Sequence, residues 1–276
     1  MKNCKNPQPL FTFPKMLLFF LFTSLALVAR SQPLWLPDNP NNYVGLELLK
    51  TAYDNADDLS FLTSVHVLSG KFRLNDGLSL LAELPTSYID GEFGDAEFAL
   101  GNPYLGLIIR NSEKDHFFET GLRIPIAPDD KFSASTAGSF SDFDRAEAYL
   151  SDIFTITTKY NYMKKNDSNL ILRFRGGPTF WISTSDDTET EVLLDYSAQA
   201  GYDAGSFEVL GGFTGRAIIT ESDIDFGERS IHQIGLSGHY KGEKVTPGLL
   251  FRFPMDEDLG DLLDLVIGIH VIANLN

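Results

Sequence analysis

The chain has almost no cysteine and no long apolar run beyond its first 31 residues. Its single cysteine, Cys4, lies ahead of the apolar segment 16–28 and would be lost with an N-terminal leader. The rest of the chain then has neither a disulfide nor thiol chemistry. No later run reaches the ~20 apolar residues that a transmembrane helix needs. A disulfide-stabilised domain and a helical membrane protein are therefore excluded.

Basic residues are also scarce, with 22 Lys and Arg against 38 Asp and Glu. Nucleic-acid binding needs a basic surface, so no nucleic-acid partner is expected. The chain has no P-loop, no dinucleotide-binding fingerprint and no Cys/His metal spacing. We expect no catalytic residues, no cofactor and no metal, apart from a weak Ca²⁺ signal at Asp223, Asp225 and Glu228. There the glycine, Gly227, comes one position late for an EF-hand loop.

Residues 1–31 are predicted to be a cleaved signal peptide. They have a basic start, an apolar centre and small residues at the cleavage positions: Lys2, Lys5 and Lys15, then 16–28, then Ala29 and Ser31. This thirteen-residue apolar segment is too short to span a membrane as a helix, although an N-terminal anchor is the alternative. Cleavage leaves 245 of the 276 residues and removes four bases but no acid, which takes the formal charge from −16 to −20.

Alternation of apolar and polar residues dominates the remaining chain. In 115–126 one face is mostly apolar, and the other carries Glu119, Gly121 and Arg123. Period two indicates a β-strand, and about 9–11 tilted residues cross a bilayer. A mean hydropathy of −0.07 with 12% aromatic residues fits a barrel in which only alternate residues face lipid.

We therefore predict an all-β fold: a transmembrane, antiparallel, up-and-down β-barrel of about twelve strands, over 43–276 after a periplasmic lead-in at 32–42. A soluble sandwich or a lipocalin-like barrel is the alternative. The first strand could instead be a short helix. The predicted strands are 43–53, 59–74, 77–88, 98–110, 115–126, 152–164, 168–182, 192–203, 206–220, 230–241, 244–254 and 262–276.

Short turns alternate with long connections, as in barrels of the bacterial outer membrane. The long connections hold 24 acids and three bases; they are 54–58, 85–97, 127–151, 183–191, 221–229 and 255–261. This predicts an acidic outer rim that concentrates cations or bridges divalent ions to lipid; ordinary solvated loops are the alternative. The longest, 127–151, includes a predicted short helix at 141–150. It could fold inward as a constriction, but we expect it to be extracellular.

Charged residues on the polar faces are the candidates for lining the lumen. They are Glu83, Glu119, Arg123, Lys159, Arg173, Arg175, Asp195, Glu208, Arg216, Arg252 and Asp264. Because both signs are mixed, we expect ion pairs across the lumen. Twelve strands make a barrel wider than the eight that side chains can fill and narrower than an open porin of 16–18. Either a narrow pore or a closed lumen is compatible with this width.

The run Gly101-Asn102-Pro103-Tyr104-Leu105-Gly106-Leu107 and the strand end Leu122-Arg123-Ile124-Pro125 resemble a family of outer-membrane transporters. These are the transporters associated with the phenol-degradation meta-pathway, which are similar in architecture to fatty-acid-transport barrels. The resemblance implies a barrel without catalytic residues. The chain departs from the usual barrel pattern by ending in Leu275-Asn276 rather than an aromatic residue.

Two Ser/His pairs raise the question of catalysis, because Ser237 and His239, like Ser64 and His66, share a strand face. Neither pair lies in a lipase motif, so we regard both as accidental. The predicted function is a passive channel or transporter for a small solute, hydrophobic solutes included, in the outer membrane of a Gram-negative bacterium. Outer-membrane lipid and the barrel-assembly machinery are the other expected partners. The alternative is a closed structural or surface-binding barrel that acts through its acidic loops.

Overall fold

The computed structural model describes residues 34–53, 64–91, 94–111, 114–185, 190–221 and 223–275. The predicted signal peptide and parts of the acidic connections lie outside these residues. The described chain forms thirteen strands: β1 Asn42–Tyr53, β2 Ser64–Asn75, β3 Leu78–Gly91, β4 Gly94–Leu100, β5 Tyr104–Arg110, β6 His116–Arg123, β7 Ile153–Lys165, β8 Leu170–Ser183, β9 Glu191–Asp203, β10 Phe207–Ile218, β11 Ser230–Tyr240, β12 Val245–Pro254 and β13 Leu263–Leu275.

The strands form one closed antiparallel barrel in which neighbours in the chain are neighbours in the wall. β13 pairs with β1 along its whole length and closes the ring. Twelve strands build the wall and one extra strand is added, which confirms the predicted fold class. Alternation of side chains along each strand gives the wall an inner and an outer face. In β1, Tyr43 and Leu49 are buried inside, whereas Leu46 and Leu48 are exposed outside.

The extra strand arises because one predicted strand, 98–110, is interrupted. β4 and β5 pair with the same strand, with Leu100 opposite Thr86 and Tyr104 opposite Glu83 of β3. Gly101–Pro103 separates them. β6 pairs with β5 but ends at Arg123. Among the described strands, β4 therefore pairs with β3 alone.

Two predicted connections differ from the structure. The long loop expected at 85–97 consists mostly of β3 and β4. Those strands continue past the predicted strand end, so Asp90 and Glu97 belong to a projecting hairpin rather than to a loop. The second difference concerns the connection 127–151, which does not stay outside the barrel.

Residues 132–149, here called the plug, fold into the lumen. Our prediction that this connection is extracellular is therefore wrong. The plug contains helix α1 (Phe132–Ser141) and a 3₁₀ helix (Phe143–Ala148). Helix α1 contacts β1, β2, β3 and β4 from inside. Its buried face consists of Ala134, Ala137, Gly138 and Ser141. These small residues allow close approach: a Cβ at Gly138 would lie 2.4 Å from the Tyr149 ring.

Residues 34–40, here called the N-terminal segment, also lie inside the barrel. They were expected to lead into it from the periplasm. Trp35 and Leu36 are buried. Trp35 joins an apolar cluster with plug residues Ala148 and Tyr149 and with inward residues of β1, β2, β12 and β13. Buried charged residues line the other strands and also lie on the strands of this cluster, as Glu47 of β1 and Arg252 of β12 do.

Helix α2 (Glu257–Gly260) is a single turn in the β12–β13 connection. Among the described residues, no helix is both long and apolar enough to cross a membrane.

Candidate functional site in the lumen

The structure places ten of the eleven predicted luminal residues inside the barrel. Those that are buried or line the internal cavity are Glu83, Glu119, Arg123, Lys159, Arg173, Arg175, Asp195, Glu208, Arg216 and Arg252. Asp264 differs: it is exposed. The register shifts where Ala52 and Tyr53 pair with β13, and this irregularity brings Leu263 inward and leaves Asp264 out of the alternation.

A chain of ion pairs links strands β3, β6, β10, β9 and β7 through the plug. Arg123 bonds Glu83 at 2.6 Å and lies 3.7 Å from Glu147 of the plug. Glu147 also pairs with Arg216 at 2.6 Å. Arg216 also pairs with Asp195 at 2.6 Å, and Asp195 accepts a hydrogen bond from Lys159. Because Glu147 bridges two strand residues, the plug is part of this network.

Arg145 ties the plug to strands β1 and β3. Its guanidinium bonds Glu47 of β1 at 3.0 Å and lies 3.6 Å from Glu83 of β3. Within the plug it bonds Asp142 at 2.6 Å. Buried ion pairs are weak evidence for stability, but removing one partner leaves an uncompensated charge that costs about 3–5 kcal/mol. Arg145 is therefore a point at which a single change should release the plug.

Arg252 of β12 holds the junction between the two plug helices. It bonds Asp142 at 3.1 Å and the Ser141 carbonyl at 2.6 Å, and it reaches Asp144 at 3.2 Å. Burial alone would raise the pKa of Asp142. The guanidiniums of Arg145 and Arg252 outweigh that effect and hold the pKa of Asp142 below its ordinary value.

Asn102 joins the interrupted wall to the plug. Its side-chain nitrogen donates to the carbonyls of Glu147 at 2.9 Å and Leu150 at 2.7 Å. Its side-chain oxygen accepts from the N–H groups of Ile126 and Ala127, both at 2.8 Å. The residue has no solvent exposure. Asn102 thus holds two segments in place: the chain that follows β6, and the end of the plug.

Polar contacts also hold the N-terminal segment in place. Arg173 donates to the Leu36 carbonyl at 2.9 Å, and Gln199 donates to the Leu34 carbonyl at 2.8 Å. The Trp35 indole N–H donates to Asp144 of the plug at 3.0 Å. The two inserted segments therefore contact each other as well as the wall.

A cavity of about 100 Å³ lies between the inserted segments and the wall, with room for a few water molecules. Its lining includes Glu119, whose Oε1 accepts from Tyr104 and from Arg175, each at 3.1 Å. Glu119 Oε2 and the hydroxyls of Thr155 and Thr214 are buried without a hydrogen-bond partner. These are the polar groups that a bound molecule could satisfy.

The Ser/His pairs are hydrogen-bonded but lie away from this cavity. Ser237 Oγ is 3.1 Å from His239 Nε2, and His239 Nδ1 is 2.8 Å from His270. Ser64 Oγ is 3.0 Å from His66 Nε2. Ser237, His239 and His270 are each at most 3% exposed, and none of them lines the cavity.

In the part of the chain that the structure describes, no group of three or more His, Cys, Asp or Glu side chains is arranged to hold a metal ion. Ca²⁺ binding at Asp223, Asp225 and Glu228 stays a prediction.

Reasoning from the sequence missed the plug residues and Asn102. Two signals were available. Small residues at 134, 137, 138 and 141 follow the spacing of one helix face, which indicates close packing. Large apolar residues, Phe140, Phe143 and Tyr149, are unusual in a connection that stays in solvent.

Neither a protein-family model nor a curated protein matches the chain. Among solved structures, an outer membrane channel from Pseudomonas putida F1 is similar, with 10% identity and a TM-score of 0.59 over 90% of this chain and 98% of that one. LpxR from Salmonella typhimurium has 10% identity and a TM-score of 0.52 over 84% of this chain and 100% of that one. A FadL homologue from Pseudomonas aeruginosa is more distant, with 12% identity and a TM-score of 0.39 over 87% of this chain and 77% of that one.

At these identities the similarity shows the fold alone. The protein shares its barrel fold with the Pseudomonas putida channel and with LpxR. The resemblance to transporters associated with the phenol-degradation meta-pathway stays a prediction.

Proposed function

We propose that the protein is an outer-membrane channel for a small solute and that its lumen is closed at rest by the plug and the N-terminal segment. The observation that carries this proposal is how the lumen is filled. Twelve strands enclose more space than wall side chains fill. Here inserted segments, held largely by ion pairs and hydrogen bonds, occupy that space. Such contacts can exchange with water when a segment moves.

The charge of the lining favours a polar solute over a hydrophobic one. Carboxylates and cationic side chains from many strands of the wall and from the plug line the cavity, and an apolar solute would have to desolvate them without compensation. We propose that the protein acts in the outer membrane of a Gram-negative bacterium. We also propose outer-membrane lipid and the barrel-assembly machinery as partners, and no nucleic acid.

We also propose that the protein is not an enzyme, because Ser237 and His239 are at most 2% exposed and the groove that they border is lined mainly by apolar residues of the wall, such as Leu236, Leu249 and Phe251. The alternative function is a closed barrel that works through its acidic loops. It would keep the same plug as a permanent filling. The two functions differ in whether releasing the plug creates a conducting path.

Arg145→Glu tests this difference. The substitution places a fourth carboxylate beside Glu47, Glu83 and Asp142, the three partners of Arg145. Like charges in a buried site repel strongly, so the plug should leave the wall. In planar bilayers we expect discrete conductance steps severalfold larger than those of the unmodified protein.

The matched control is Arg73→Glu, which removes the exposed pair with Asp76 at the β2–β3 turn. It should leave conductance unchanged. Both variants must run as folded barrels, with a gel mobility that shifts on heating. Silence of a folded Arg145→Glu variant would contradict the channel and favour the closed barrel.

A further inference from the structure

The internal cavity has one acid more than it has bases in its lining. Its seven acids are Glu47, Glu83, Glu119, Asp142, Asp144, Glu147 and Asp195. Its six bases are Arg123, Arg145, Lys159, Arg175, Arg216 and Arg252. The formal charge of the lining is therefore −1. An uncompensated charge in a buried site is costly, so this lining favours a bound cation over a bound anion.

The bases of the lining are already committed to carboxylates. The pairs are Arg123 with Glu83, Arg145 with Glu47, Lys159 with Asp195, Arg175 with Glu119, Arg216 with Glu147 and Arg252 with Asp142. Arg252 Nε is buried without a hydrogen-bond partner, but its guanidinium already contacts two carboxylates, those of Asp142 and Asp144. An anion would have to displace a carboxylate from one of these pairs.

Glu119 has an unused acceptor in this lining. Its Oε1 accepts from Tyr104 and from Arg175, each at 3.1 Å. Its Oε2 is buried without a hydrogen-bond partner, and the residue is only 4% exposed. Lys159 lies directly opposite Glu119 in the register of β6 and β7, but its Nζ bonds Asp195 instead. A buried carboxylate oxygen left unpaired is costly, so a further donor is favoured at this position.

We propose that this cavity binds one small protonated amine, whose ammonium group donates to Glu119 Oε2. The amine supplies the positive charge that the lining lacks. A cavity of about 100 Å³ holds an ion of on the order of three to five non-hydrogen atoms. Leu49, Leu81 and Leu250 also line it, so a short alkyl chain has apolar contacts. The proposal rests on the proposed function, because it names the solute of the channel as a small organic cation.

The test is equilibrium dialysis of isotope-labelled ethylammonium against the folded barrel in detergent, since dialysis allows time for entry into a closed lumen. We expect saturable binding of a single ion per barrel. Acetate and ethanol are close to ethylammonium in size but carry a negative charge and no charge. Both should bind at least about tenfold more weakly. Acetate that binds as tightly as ethylammonium would overturn the proposal.

Glu119→Gln keeps the shape of the side chain and removes its charge, so it should weaken ethylammonium binding at least about tenfold. The matched control is Glu243→Gln in the exposed β11–β12 turn, which removes the same charge and should leave binding unchanged. Both variants must show the gel mobility of a folded barrel. Unchanged binding in Glu119→Gln would place the ion among the acidic connections and overturn the proposal.

Conductance of Arg145→Glu separates this site from the channel. Ethylammonium binding to a barrel that conducts neither with nor without this substitution would uphold the amine site and contradict the channel. A conducting Arg145→Glu variant, together with an unmodified barrel that binds no ethylammonium, would uphold the channel and overturn the amine site.

Discussion

At the scale of single residues, Asn102 has the most demanding role. All four hydrogen-bonding positions of its amide are engaged, and every partner is a backbone group. Its own N–H donates to the Ala148 carbonyl at 2.6 Å. A buried backbone group that loses its partner costs about 1–3 kcal/mol. The site therefore depends on this one amide for four hydrogen bonds.

Asn102→Ala should therefore lower the free energy of unfolding by about 2–5 kcal/mol, a figure reduced from the full sum because water can enter. Urea unfolding in lipid vesicles measures it. The control is Asn166→Ala in the β7–β8 turn, where exposed Asn166 accepts from Ser168 and Leu170. It should cost within about 1 kcal/mol. Equal costs at the two sites would show that Asn102 does not join wall and plug.

At the scale of elements, alternation predicts the wall well because each strand has one face exposed on the outside of the barrel and one face buried on the lumen. It could not predict the break at Gly101–Pro103. That break depends on the Ala148 carbonyl, which is close in space but remote in sequence. The inward path of the plug was missed for a related reason: a polar connection normally stays at the surface, and the partners that bury this one are on distant strands.

The candidate site was predictable to the same extent. Period two identifies inward acids and bases without any knowledge of their partners, and Arg123 and Arg216 are examples. It fails at Asp264, where the strand register shifts. It also cannot find Arg145 or Glu147, because neither belongs to a strand. The sequence does not show which plug residue lies beside which wall residue, because the two are far apart in the chain.

Gly101→Ala tests the contact between the wall break and the plug. A Cβ at this position would lie 2.3 Å from the Ala148 carbonyl oxygen and 3.0 Å from Pro85. The plug must move to accommodate it, so we expect a loss of about 1–3 kcal/mol in unfolding free energy and more frequent channel opening. Gly238→Ala is the matched control, since no heavy atom lies within 4 Å of the added Cβ. A fully closed, equally stable Gly101→Ala variant would contradict this account.

At the scale of the whole molecule, closure is a balance of charges. The plug contributes Asp142, Asp144 and Glu147 to guanidiniums of the wall, and Arg145 to carboxylates of the wall. The plug therefore pairs its acids with bases of the wall and its base with acids of the wall. The plug contributes three of these acids and one base, so its release would take from Arg252 and from Glu47 the ion-pair partners that they have in the closed lumen.

This balance makes closure sensitive to acid in a defined direction. The pKa of Asp142 is lower in the seated plug than in a released one, because Arg145 and Arg252 outweigh burial. Its stabilisation is therefore complete above the ordinary aspartate pKa and is lost as pH falls through the lowered value. Conductance should stay low from pH 8 to about pH 4 and rise below it. Asp142→Asn should conduct at pH 7 and show a flatter pH profile. A rise centred near pH 6.5, the range of histidine, would assign the control of closure to other groups instead.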